Sequence, residues 1–193
     1  MSLTTDTPLP TSTECIELIQ NDSKPLEDRI TAFDELEELV ESLDNANDLR
    51  PLSLWHPILQ ILQSSPDEQL RMYAAWVVGT AVQNNEKAQK DFLDLNALPV
   101  VLHSLKNDTS PLVKQKLIYT LSSALSYPQI YTQFTSLNGF TTITQTLKDG
   151  DSTVLRRAIH LLTSLIERNE EGALDACGRE GVVEIVLEVL ENL

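Results

Sequence analysis

The sequence predicts an all-α fold: an armadillo-repeat, right-handed superhelical solenoid of about four repeats with atypical terminal units. Three observations carry this reading. A motif recurs, since Leu95-Asn96-Ala97-Leu98 returns as Leu137-Asn138-Gly139-Phe140 and more loosely as Arg179-Glu180-Gly181-Val182, which spaces Leu98, Phe140 and Val182 by 42 residues each. A period of about 40–47 residues filled with helical patterning belongs to armadillo and HEAT repeats. Within each period a long helix, a short helix and a medium helix follow one another, which is the three-helix armadillo order. Aromatics make up only 5% of the chain and glycines number six, a composition suited to helices packed through Leu, Val, Ile and Ala. Stacked helical units present an extended concave surface, so the pattern points to a binding module.

The elements follow in order. Residues 1–12, rich in Thr and Pro, read as a disordered leader, and 13–193 as a single armadillo-repeat domain. Thr13 is the expected cap of a short helix ending near Gln20. Leu26, Ile30, Phe33, Leu36, Val40 and Leu43 then fall at i, i+3, i+4 spacing and predict the first long helix. A following helix is expected to open at Pro51 and to carry Leu54, Ile58, Ile61 and Leu62, with a kink near His56 because Pro57 cannot donate a backbone hydrogen bond. Between these helices, Asp44-Asn45-Ala46-Asn47-Asp48 reads as a polar turn. The first unit, 26–63, thus looks like an incomplete copy, as terminal solenoid units often are.

Three regular units follow. Their long helices span about 66–83, 109–125 and 151–168, opened by Ser65-Pro66, Ser110-Pro111, and Asp151 or Ser152. Leu70, Ala74, Val78 and Val82 superpose on Val113, Leu117, Leu121 and Leu125, and on Val154, Ala158, Leu162 and Ile166. Gly79, Ser122 and Thr163 share a slot that admits a neighbouring helix closely. Short helices are expected at 86–94, 128–136 and 170–177, and medium ones at 97–106, 139–148 and 181–191. Gln83-Asn84-Asn85 is an amide-rich turn of the kind that ends helices.

Composition excludes several functions. A net charge of −15 disfavours nucleic-acid phosphates and anionic membrane surfaces alike. Cys15 and Cys177 lie far apart, without metal-ligand spacing, which fits a reducing compartment. No apolar run approaches the roughly 18–20 residues of a membrane span, and no secretory signal is visible, so the expected location is cytoplasmic. His56, His103 and His160 stand on three different units and form no zinc set. No Gly-rich phosphate loop exists. The carboxylate pairs Glu37-Glu38 and Glu170-Glu171 are expected on exposed helix faces, without the pocket that acid–base catalysis needs. No catalytic residue, metal or cofactor is therefore expected, and the chain is not expected to be an enzyme.

Registering the long helices predicts the concave face. Aligning Ala74, Leu117 and Ala158 puts Trp76, Tyr119 and His160 in the slot that holds Trp in peptide-binding armadillo proteins. The slot one turn later, where such proteins carry Asn to bracket a peptide backbone, holds Thr80, Ser123 and Ser164. The missing Asn ladder disfavours one alternative function, an adaptor for an extended peptide, and leaves open a second, a scaffold for a protein partner. Neighbouring turns add Tyr73, Lys116 and Arg157, then Asn84, Tyr127 and Arg168. The first long helix contributes Thr31, Asp34 and Glu38. The groove is then acidic at one end and mixed or basic at the other, which suits a folded protein partner.

Ser42-Leu43-Asp44-Asn45-Ala46-Asn47-Asp48-Leu49 and Gly79-Thr80-Ala81-Val82-Gln83-Asn84-Asn85 resemble the armadillo-type nucleotide-exchange factors of the seventy-kilodalton heat-shock chaperones. Cytosolic fungal members and the animal heat-shock-protein-binding protein share this order of motifs, and the resemblance runs over 26–193. It implies a monomer whose concave face grips lobe II of the ATPase domain of a cytosolic heat shock protein 70 chaperone and accelerates ADP release. It also implies chaperone contacts at Ala46, within Asn45, Asn47 and Asp48, and at Arg157. On that reading, Ala46→Arg with Arg157→Ala should abolish binding and leave the melting temperature nearly unchanged.

Overall fold

The computed structural model describes residues 10–148, 151–168, 170 and 172–191, with side chains as far as Glu188. Thirteen helices and no strand occur among the described residues. The predicted leader up to Leu9 lies outside them, as does Glu171 of the second carboxylate pair.

Helix α1 (Ser12–Gln20) is capped by Thr11 rather than Thr13. The reason is a reciprocal capping box: the Glu14 amide donates to the Thr11 hydroxyl at 3.3 Å, and the Thr11 amide donates to the Glu14 carboxylate at 2.7 Å. The first unit is a complete copy. It comprises α2 (Leu26–Val40), α3 (Leu43–Asp48) and α4 (Trp55–Ser64). The predicted polar turn at 44–48 is therefore the short helix of that unit, held by burial of Ala46 and Leu49. Pro51 opens no helix. Pro57 sits in the first turn of α4, where its missing N–H would have had no intrahelical partner, so no kink is required.

The next three units are α5 (Glu68–Val82), α6 (Glu86–Asp94) and α7 (Ala97–Asn107); α8 (Pro111–Ala124), α9 (Pro128–Ser136) and α10 (Gly139–Leu147); and α11 (Ser152–Glu167), α12 (Ala173–Arg179) and α13 (Val182–Glu191). The recurring motif is the step from short to medium helix, taken through a left-handed residue. Asn96 and Asn138 both have φ of 55°, and Gly181 has φ of 62°. Ser53 makes the same step before α4 with φ of 59°. Asn and Gly are the residues that tolerate this region best, which is why the motif is legible. The register of the last copy shifts by one residue: Val182, directly after Gly181, matches Ala97 and Gly139 rather than Leu98 and Phe140.

The long helices α2, α5, α8 and α11 pack in succession as one layer, and the medium helices α4, α7, α10 and α13 as a second. The core lies between them and includes the predicted positions Leu70, Ala74, Val78, Val113, Leu117, Leu121, Val154, Ala158 and Leu162. A Cβ on Gly79 would lie 2.6 Å from Cδ1 of Tyr119, so glycine sets the α5–α8 approach there. Ser122 and Thr163 are exposed and play no such part. Two polar ties join the units. Arg71 donates from Nε to Asp108 Oδ2 at 2.7 Å and from Nη2 to Oδ1 at 3.1 Å, a bidentate pair between α5 and the α7–α8 turn. Buried Gln89 of α6 donates to the carbonyls of Val82 at 2.9 Å and Ser123 at 3.2 Å, near the C-terminal ends of α5 and α8.

Candidate partner-binding cleft

A stacked ladder crosses the layer of long helices. Phe33 of α2 stacks on Tyr73 of α5 with centroids 6.2 Å apart, and Tyr73 on Trp76 at 5.7 Å. Above Trp76, the Nζ of Lys116 of α8 lies 2.9 Å from the ring centroid, a cation–π arrangement. Hydrogen bonds fix the rungs: the Tyr73 hydroxyl donates to Asp34 at 2.9 Å, the Thr80 hydroxyl to Glu37 at 2.6 Å, and the Tyr119 hydroxyl to Gln83 at 3.0 Å. Tyr119 and Thr80 oxygens are also within 3.3 Å of each other.

These residues enclose a cleft of about 500 Å³ lined by Glu37, Glu41, Trp76, Thr80, Gln83, Lys116, Tyr119 and Arg157. A smaller apolar cleft of about 340 Å³ continues from it past Tyr119 and Arg157 to His160. The electrostatics follow from partial burial. Burial pushes the Glu37 carboxyl above the usual range, against the hydrogen bond from Thr80. Burial also lowers the Lys116 ammonium to about 8, opposed by Glu37 and assisted by Arg157. The cleft is therefore acidic on its α2 side and basic on its α8–α11 side. Its polar groups suit recognition of a charged, folded surface.

Of the predicted site residues, Trp76, Lys116, Tyr119 and Arg157 line the larger cleft, Tyr73 extends it through the ladder, and His160 lines the smaller one. The rest are elsewhere. Ala46 is 1% exposed and packs in the core of the free chain. Asn45 donates to the Leu39 carbonyl at 2.9 Å and ties α3 to the end of α2. The Oδ1 of Asn47 is buried without a hydrogen-bond partner among the described residues, and Asp48 is exposed. Asn84 takes a left-handed φ of 51° just after α5, the helix-ending role open to Asn. Sequence reasoning missed Glu37, which is 6% exposed rather than on an open face. The available signal was that Asp34, Glu37 and Glu41 share one face of α2.

Among the described residues no group of His, Cys, Asp and Glu could hold a metal ion, and no helix is long and apolar enough to cross a membrane. Cys15 and Cys177 are free and buried.

Comparison with known proteins places these features in context. A family model described as SIL1/FES1/HPBP1 C-terminal domain matches residues 45–180, and one described as nucleotide exchange factor Fes1 matches 11–49. The chain is 36% identical over 186 residues to the Hsp70 nucleotide exchange factor FES1 of Saccharomyces cerevisiae, covering 93% of this chain and 64% of that protein. It is 46% identical over 110 residues to the protein of the same name from Coccidioides immitis, covering 57% and 51%. The chain thus spans less than two thirds of the length of these relatives. Among solved structures, an engineered protein superposes with a TM-score of 0.79 at 18% identity, covering 93% of this chain and 73% of the other. A designed armadillo repeat protein in complex with the peptide (KR)4 superposes at 0.67 with 16% identity, covering 93% and 80%. These structural likenesses establish the armadillo-type solenoid.

Proposed function

The chain belongs to the SIL1/FES1/HPBP1 family, and from that membership we propose that it is a nucleotide exchange factor for a cytosolic Hsp70 chaperone. The concave cleft of the long helices binds lobe II of the chaperone's ATPase domain, as a monomer in the cytoplasm, and accelerates ADP release. The observation that carries the reading is the preformed cleft built on Trp76, Lys116, Tyr119 and Arg157, which a folded partner can enter without ordering the solenoid. Arg157, exposed and able to make a bidentate contact, is the first contact residue. Tyr73 and His160 flank it. Asn45, Asn47, Asp48 and Asn84 act at most along the edge of the solenoid.

Linkage supplies the mechanism. A factor that prefers an ATPase domain with displaced lobes must weaken nucleotide binding, and bound nucleotide must weaken the factor's affinity equally. A coupling of about 3 kcal/mol corresponds to roughly 150-fold. The factor contributes no reacting group, only a rigid curved surface.

Stopped-flow release of a fluorescent ADP analogue from a full-length Hsp70 chaperone, chased with ATP, tests this. Dose-dependent acceleration by the chain, reduced in Arg157→Ala, is expected. A complex that forms without changing the release rate would replace the exchange reading with a scaffold. Absence of a complex would refute the Hsp70 reading and favour a peptide adaptor.

A further inference from the structure

Lys116 is an unusual residue for an acidic protein to keep uncompensated. The chain carries 29 Asp and Glu against 14 Lys and Arg, yet no carboxylate closes an ion pair with Lys116 or Arg157 among the described residues. An acid in the same cleft, Glu37, is engaged by the Thr80 hydroxyl at 2.6 Å. Trp76 lies beneath the ammonium, Tyr119 beside it on the same helix, and Arg157 of α11 lines the same cleft wall. The groups lining the cleft with Lys116 are Glu37 from α2 and Glu41 at its C-terminal cap, Trp76 and Thr80 from α5 and Gln83 just after it, Tyr119 from α8 and Arg157 from α11. Lys116, half-buried over an aromatic floor, and the exposed Arg157 beside it keep donors unspent, and together they form a socket that a carboxylate complements.

We infer that the Lys116–Arg157 end of the cleft receives an acidic side chain of the bound chaperone, and that Lys116 is the residue that selects for it. The inference rests on the exchange-factor reading and deepens it. Lys116 is held by the Trp76 face, so its ammonium is positioned before the partner arrives, and docking replaces its lost hydration with a charge-assisted bond. A carboxylate beside the ammonium favours its charged form. Since Lys116 in the free protein titrates near 8, complex formation at that pH draws about half a proton from solvent. The sign follows directly: binding is strongest where Lys116 is already protonated and weakens by about tenfold from pH 7 to pH 9 as the free residue loses its proton.

The test is isothermal titration of the full-length chain into a full-length Hsp70 chaperone at pH 8, in phosphate and in Tris, which differ in ionisation enthalpy. Wild type should take up about half a proton per complex. Lys116→Met should lose about ten- to hundredfold in affinity together with that uptake. Lys116→Arg, charged at every accessible pH, should keep most of the affinity and lose the uptake, which a merely structural role for Lys116 would not produce. Titration of the chaperone's own groups cancels in the wild-type–Lys116→Arg difference. A folded Lys116→Met variant that binds like wild type, or identical proton uptake by wild type and Lys116→Arg, would overturn this inference and leave the Hsp70 reading standing. Failure of wild type to bind would remove that reading and this inference with it.

Discussion

Two substitutions separate stability from binding. Ala46 is 1% exposed within α3, with its amide on the Ser42 carbonyl at 3.0 Å and its side chain in the core. An Arg there must either bury an unpaired guanidinium or thread a long stem out between α3 and its neighbours α2, α5 and α6. Overpacking alone costs about 1–3 kcal/mol, and incomplete escape of the charge adds to it, so about 3 kcal/mol is the expected loss. For a chain of this size each kcal/mol moves the melting temperature by about 2–4 °C, giving a drop of about 6–12 °C. Arg157 is exposed and forms no ion pair among the described residues, so Arg157→Ala should stay within about 0.5 kcal/mol of wild type. Circular dichroism melts of both variants, alongside chaperone titration, provide the assay. Ala46→Arg should weaken binding only in proportion to its unfolding, whereas Arg157→Ala should weaken binding about tenfold or more at constant stability. An Ala46→Arg protein that melts within about 2 °C of wild type and still fails to bind would refute the placement of Ala46 in the core and restore it as a contact.

Two further outcomes are expected. Asp108, 5% exposed on its side chain, is pushed up by burial but held below the usual carboxylate range by Arg71 and the Ser110 amide. Asp108→Asn should cost about 2 kcal/mol at pH 7 in urea denaturation. Because the folded carboxyl titrates low, that difference should persist down to about pH 4 and close only as Asp108 protonates below it. A Cβ on Gly139 would collide with the ring of Phe134, which packs edge-on against Phe140 at 5.2 Å. Gly139→Ala should therefore lower stability by about 1–3 kcal/mol and leave chaperone affinity at 20 °C unchanged, measured by thermal melts and titration; higher stability would show that the ring swings away at no cost.

The sequence reveals the three later units because each crosses from short to medium helix at a residue with positive φ, a region that favours Asn or Gly. The first unit escapes the same reasoning because Ser53 makes that step and its short helix is Leu43-Asp44-Asn45-Ala46-Asn47-Asp48. Asp and Asn favour caps and turns over helix interiors, so local preference argues for a turn. Packing of Ala46 and Leu49 overrides it. The ladder was half legible. Equivalent register on successive long helices brings Trp76 and Tyr119 to one face, but Glu37 is distinguished from Glu38 only by Thr80, which lies 43 positions away in the chain. The Asp-Asn-Ala-Asn segment was the strongest sign of family and the weakest guide to the cleft, because a motif can be characteristic when its side chains hold a short helix in place.

The arrangement also bears on how the proposed exchange activity could be driven by a rigid surface. The bonds that line the cleft are those that join the long helices: Tyr73 to Asp34 and Thr80 to Glu37 couple α5 to α2, and Tyr119 to Gln83 couples α8 to α5. Moving α5 against α2 breaks two of them and moving α8 against α5 breaks the third, and the two to α2 have an acidic acceptor, the kind of hydrogen bond worth about 1.5–3 kcal/mol when that acceptor is charged. That resistance is comparable with the roughly 3 kcal/mol a 150-fold effect on nucleotide affinity requires. On the proposed function, a cleft this stiff would deform its partner more readily than itself. A surface that yielded would dissipate the same contact energy in its own rearrangement and leave the nucleotide bound.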